Sequence, residues 1–116
     1  MKKILIVDND IEMLELMKDH LDSEQYSVTI AADGLDGLTR AETEAPDVII
    51  LDIKMPIING YTFVKRLKED KSKKIPVIIL TSYTNLKDHF AVEGVNDYLV
   101  KPFEIQTLRD KLNEYL

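Results

Sequence analysis

The sequence predicts an α/β domain in which a mainly parallel five-stranded sheet is covered by helices on both faces. Three observations carry the prediction. Apolar runs rich in valine and isoleucine recur along the chain, amphipathic segments separate them in strict alternation, and the runs are apolar throughout rather than at every second residue. Alternating strand and helix segments imply parallel pairing with helical crossovers. Strands without a polar face are what a sheet buried on both sides requires.

Taken in order, the first strand covers residues 4–7 and runs straight into Asp8-Asn9-Asp10. A helix follows over 10–22, with Leu14, Met17 and Leu21 on its core face and Asp10 or Asn9 as N-cap. Met13, Leu16 and His20 form a second, partly exposed stripe on it. The second strand is 28–31, the second helix 34–43, and the third strand 48–51, which stops at Asp52. Pro56 shapes the next loop, and Asn59-Gly60 reads as the turn that opens a helix over 60–70. Lys-Ser-Lys-Lys at 71–74 is a solvated loop before the fourth strand, 77–80, which stops at Thr81. A helix over 85–92, a weaker strand over 98–100 ending at Lys101, and a last helix over 104–115 complete the chain. His20 and His89 have no neighbours in sequence that suggest a catalytic or metal site, so both are read as surface residues.

Composition narrows the function. At 116 residues the chain fits one domain, expected over 1–116. An apolar share of 45% supports a packed core, and the net charge of -6 argues against direct, sequence-independent binding to nucleic acid, which needs Lys and Arg against phosphates. There is no cysteine, which removes disulfides, thiolate metal sites and cysteine nucleophiles. The first apolar run is too short for a signal peptide or membrane span, so a cytoplasmic protein with no membrane contact is expected.

In sheets of this kind, ligands sit outside the carboxyl ends of the strands. The polar residues that stop the first, third, fourth and fifth runs are Asp8, Asp52, Thr81 and Lys101. Two carboxylates on neighbouring strand ends repel each other unless a cation lies between them, and a hard oxygen-ligated ion such as Mg²⁺ answers that need. A lysine ammonium and a threonine hydroxyl on the same rim supply what a phosphoryl group needs, a positive charge and a hydrogen-bond donor. The four together suit phosphoryl transfer with an aspartate as nucleophile.

ILIVDND, PDVIILDIKMPIING, IPVIILTSYT and VNDYLVKPF resemble, in order, the four signature stretches of the receiver domain of two-component response regulators. The resemblance implies a flavodoxin-like doubly wound sheet of strand order 2-1-3-4-5 with five helices. It implies that Asp52 accepts a phosphoryl group from a histidine kinase or phosphotransfer protein, and that Asp8, Asn9, Asp52 and the backbone carbonyl of Lys54 hold Mg²⁺, for which Mn²⁺ can substitute. Thr81 would bond the phosphoryl oxygen, Lys101 would neutralise it, and Tyr98 would turn inward as Thr81 moves. It also implies a cis bond between Lys101 and Pro102, a kinase-docking role for Met13 and Leu16, and an output face on the fourth helix, fifth strand and fifth helix for a homodimer or downstream protein.

Two departures stand out. Asn9 occupies a position where the family usually has a second acid, which predicts weaker Mg²⁺ binding. The stretch from Thr81 to Lys101 is about two residues short of the family's habit, which predicts a short fourth helix. Lys54 and Tyr83, two residues beyond Asp52 and Thr81, are placed to shield a phosphoryl group from water. Two rival readings remain at this point. One is a receiver-like binding module that is not phosphorylated. The other is a haloacid-dehalogenase-type phosphatase with Asp8 as nucleophile and Asp10 as general acid.

Overall fold

In a computed structural model, residues 1–23, 25–53, 55, 57–69, 74–82 and 95–116 are described. Among them the elements are β1 (Lys2–Val7), α1 (Ile11–Leu21), β2 (Tyr26–Ala31), α2 (Gly34–Glu44), β3 (Val48–Asp52), α3 (Gly60–Glu69), β4 (Val77–Ser82), β5 (Asp97–Lys101) and α4 (Ile105–Tyr115). The helix predicted over 85–92, and with it the expectation that it is short, lies outside the described residues, as do Lys54, Pro56, Tyr83 and His89.

The five strands form one sheet in the order β2-β1-β3-β4-β5, all neighbours parallel. The chain is therefore a flavodoxin-like, doubly wound α/β domain. Strand alternation sorts the core into two layers, because successive side chains point to opposite faces. Leu5, Val7, Ile49, Leu51, Val77 and Ile79 pack with Ala41, Phe63, Val64 and Leu67 of α2 and α3. Ile4, Ile6, Val48, Ile50, Ile78 and Leu80 pack on the other face with Leu14, Met17, Leu21, Leu108 and Leu112 of α1 and α4. This is why the strands read as unbroken apolar runs: neither parity faces water.

Caps set where the helices begin. The Asp10 carboxylate accepts the Met13 N–H at 3.2 Å, which settles the choice between Asn9 and Asp10. Asp33 does the same for α2 through Asp36 N–H at 2.8 Å, and Asn59 for α3 through Thr62 N–H at 3.0 Å.

At the amino edge of the sheet, Asp97 fastens α4 to β5. Lys111 Nζ donates to its carboxylate at 2.9 Å and the Tyr115 hydroxyl at 3.2 Å, while that hydroxyl also donates to the Asn96 carbonyl at 2.9 Å. Partial burial opposes ionisation of Asp97. The bonds from Lys111 and the Tyr98 N–H, the Lys111 charge and the Tyr115 hydroxyl outweigh it and hold the carboxyl below its ordinary value. Burial first, and then the Asp97 charge, push the Tyr115 phenol up.

Candidate functional site

Parallel pairing brings the strand-end residues together. Val7 lies across from Leu51, so one step further on Asp8 and Asp52 face each other. Asp52 pairs with Leu80 and Lys101 with Ser82, which puts Thr81 and Lys101 on the same rim. Asp8 is fully buried, Asp52 is 8% exposed and Thr81 1%.

Asp8 is fixed by backbone on both sides. Its N–H donates to the Ala31 carbonyl at 3.1 Å, and its Oδ1 accepts the Asp10 N–H at 3.0 Å. Its Oδ2 receives Lys101 Nζ at 2.9 Å, and the same ammonium lies 3.6 Å from Asp52 Oδ1. The Lys101 ammonium thus serves two buried carboxylates, the arrangement that buried charge of one sign requires. Lys101 favours Asp8, a preference not foreseen from sequence.

Asp52 is held from below. Gly60 N–H donates to the Ile53 carbonyl at 3.0 Å, closing the loop between β3 and α3 onto its own start. A Cβ on Gly60 would stand 2.9 Å from the Ile53 Cα and 3.3 Å from the Asp52 carbonyl oxygen, so the first turn of α3 can approach only as glycine. The predicted turn residue is therefore also a packing requirement of the site.

Strand alternation separates the remaining residues. Asp8, Asp52 and Lys101 share parity with Ile6, Ile50 and Leu99 on the α1 and α4 face; Thr81 shares parity with Ile79 on the opposite face, and Tyr98 packs there. The Thr81 hydroxyl reaches the Ser82 carbonyl at 3.4 Å, a long bond that holds it weakly. Tyr98 is half-buried. The Lys101-Pro102 peptide bond is cis.

Asn9 is exposed at the rim beside Asp8. On α1, Leu16 is 52% exposed, whereas Met13 is only partly so and packs against the core layer of α1 and α4. His20 is exposed, its Nδ1 2.8 Å from the Leu16 carbonyl. No cluster of three acidic or imidazole ligands exists among the described residues. Asp10, which the phosphatase reading makes a general acid, turns its carboxylate to the α1 cap instead.

With that geometry in place, comparison with known proteins assigns the class. The family model of the response regulator receiver domain matches residues 4–113, and the chain belongs to that family, whose members are the signalling modules of two-component systems. It is 34% identical to the DNA-binding dual master transcriptional regulator RpaA of Synechocystis, over 100% of this chain and 49% of that protein. It is 34% identical to the alkaline phosphatase synthesis transcriptional regulatory protein PhoP of Bacillus subtilis, over 99% and 48%. The chain spans about half the length of these relatives. Among solved structures it superposes on the chemotaxis response regulator CheY4 of Vibrio cholerae with a TM-score of 0.89 at 36% identity, covering 100% and 99% of the two chains. A receiver domain protein from Clostridium thermocellum gives 0.91 at 29% identity, covering 99% and 94%. No helix among the described residues is long and apolar enough to cross a membrane.

Proposed function

We propose that the chain is a single receiver domain that takes a phosphoryl group from a histidine kinase or phosphotransfer protein onto Asp52, in a Mg²⁺-dependent reaction. The observation that carries this reading is the Lys101 ammonium shared between the buried Asp8 and Asp52 carboxylates at 2.9 and 3.6 Å, in a chain of the receiver family.

Two carboxylates converging on one cation form an oxygen donor set that fits a hard divalent ion. Asp8, Asp52, the Asn9 amide and the Lys54 carbonyl would hold Mg²⁺, or Mn²⁺ in its place. Bound there, the ion neutralises the acids and the incoming phosphoryl oxygens.

In the transfer, an Asp52 carboxylate oxygen attacks phosphorus. A P–O bond forms, the P–N bond of the phosphohistidine breaks, and the leaving imidazole nitrogen keeps the electron pair and takes up a proton. Lys101 then pairs with the phosphoryl group, and Thr81 exchanges its weak bond to the Ser82 carbonyl for one to a phosphoryl oxygen. The new group adds about -1.5 to -2 charges and three acceptors at one point. Because Thr81 and Tyr98 share a face, withdrawal of Thr81 opens room for Tyr98 to turn inward. Phosphate thereby biases a surface of two arrangements that includes β5 and α4 toward a homodimer or a downstream protein. Lys54 and Tyr83, by their sequence positions two residues beyond Asp52 and Thr81, would shield the phosphate from water and slow its hydrolysis.

The test is incubation with Mg²⁺ and acetyl phosphate, followed by mass spectrometry of the wild type and Asp52→Asn. One added phosphoryl group on the wild type and none on the variant is expected. If the wild type stays unmodified with acetyl phosphate and with histidine-phosphorylated proteins alike, the reading fails and a binding module that keeps the fold without phosphorylation takes its place.

A further inference from the structure

Among the described residues, the most exposed large apolar side chains are not scattered evenly. Met1 begins the chain and Leu16 lies midway along α1, but Ile11, Leu35 and Ile57, at 60, 47 and 75% exposure, all sit at the carboxyl edge of the sheet. Ile57 combines its exposure with a backbone φ of 69°. A β-branched residue is strained there, and glycine or asparagine would fit the turn better. Its neighbours Met55 and Ile58 are buried, so the loop is pinned on either side while Ile57 faces solvent. The side chain is thus costly to the fold in two independent ways, and an outlier of this kind beside a reactive group points to a role outside the fold.

Leu35 belongs to the same place. A Cβ on Gly34 would lie 2.7 Å from the Ile58 carbonyl oxygen, so the first turn of α2 rests directly on the loop between β3 and α3. Leu35 and Ile57 are the chain neighbours of that touching pair.

We propose that Leu35 and Ile57 form an apolar docking patch for the histidine-phosphorylated protein that supplies the phosphoryl group. The inference rests on the proposed function, and the occupant follows from the recess. Asp52 is 8% exposed, so a donor that brings a phosphoimidazole to it covers the carboxyl edge around it. The loop that carries Ile57 starts at Asp52 and closes back on Ile53 through the Gly60 N–H at 3.0 Å, so it forms one wall of that recess. The opposite wall is α1, whose Leu16 is also exposed, because α1 covers the face of the sheet away from α2 and α3. A protein that touches both walls straddles Asp52, whereas a small phosphodonor touches neither.

The difference between large and small donors supplies the test. Ile57→Asn, alone and with Leu35→Asn, is compared with the wild type for phosphorylation by acetyl phosphate. The same variants are then offered a purified histidine phosphotransfer protein, phosphorylated beforehand and freed of ATP, that transfers to the wild type. Transfer from the protein is expected to slow by about tenfold, as for loss of an apolar anchor. The acetyl phosphate rate stays within about twofold, since no apolar contact is lost to a small donor. The urea midpoint of Ile57→Asn stays level or rises, because asparagine accepts a positive φ. Retained protein-donor transfer in the double variant overturns the inference, and so does an equal slowing with both donors, which would mean that the loop positions Asp52. A wild type labelled by acetyl phosphate but by no histidine-phosphorylated protein also overturns it. A wild type that neither acetyl phosphate nor any histidine-phosphorylated protein labels instead strikes the proposed function.

Discussion

Replacing Lys101 by methionine keeps most of the side-chain volume and removes the charge that two buried acids share. Its ammonium lies 2.9 Å from Asp8 and 3.6 Å from Asp52. At an effective dielectric constant of about 20, those separations correspond to gross attractions of roughly 6 and 5 kcal/mol. Withdrawing the ammonium from water offsets much of that, and breaking a buried pair by removing one partner costs about 3–5 kcal/mol. The Lys101 side chain is 25% exposed, which places the expected loss at the lower end, about 3 kcal/mol. Urea unfolding in EDTA, followed by circular dichroism, reads it directly. With a slope of about 1.5 kcal/mol per molar urea, the midpoint falls by about 2 M. The mechanism makes a second demand, that Asp52→Asn be more favourable in the Lys101→Met background than in the wild type, because the charge it then removes no longer has the Lys101 ammonium beside it. Lysine and metal also draw on the same carboxylates, so Mg²⁺ at a fixed concentration should raise the midpoint of Lys101→Met by more than that of the wild type. A loss under about 1 kcal/mol, or strict additivity with Asp52→Asn, would refute the shared-cation argument.

Three further outcomes are expected. Asn9→Asp adds a carboxylate at the exposed rim beside Asp8 and should bind Mg²⁺ more tightly than the wild type in a calorimetric titration; equal affinity would mean that this position does not reach the ion. Gly60→Ala sets a Cβ 2.9 Å from the Ile53 Cα, a backbone atom that cannot swing aside, and should lower stability by about 2 kcal/mol while slowing acetyl phosphate labelling. Asp97 has a folded value below its ordinary 3.8, so its contribution is present above that pH and lost as pH falls through the folded value. The stability gap between wild type and Asp97→Asn should therefore hold from neutral pH downward and narrow below about 3.8, and a gap that widens on acidification would contradict the assignment.

Much of the architecture is legible in the chain because a doubly covered parallel sheet leaves a simple mark, strands with no polar face. The boundaries are less legible for the same reason. β2 begins at Tyr26, two residues before its apolar run, because backbone pairing of Lys2 with Tyr26 and Lys3 with Ser27 asks nothing of the side chains. The predicted positions of Asp8, Asp52, Thr81 and Lys101 follow from one rule, that the last residues of parallel strands share a rim. What sequence does not carry is distance and conformation. The preference of Lys101 for Asp8, the left-handed backbone of Ile57 and the Asp97 bonds to α4 depend on which side chains meet across the fold, and local pattern is silent on that. Met13 lies partly exposed, as helical spacing puts it, but its packing against the core layer of α1 and α4 is again a matter of which side chains meet across the fold.

The parity of the strand ends has a consequence for how information would pass through this molecule. A β-sheet is one residue thick, and consecutive residues of a strand look out of opposite sides of it. Asp52 and Lys101 lean toward one side and Thr81 toward the other, yet all three end at the same edge. A group bound at that edge touches both compartments at once. No chain of intermediates is needed to carry its arrival across the sheet, and a ligand no larger than a phosphate can report on one side what happened on the other.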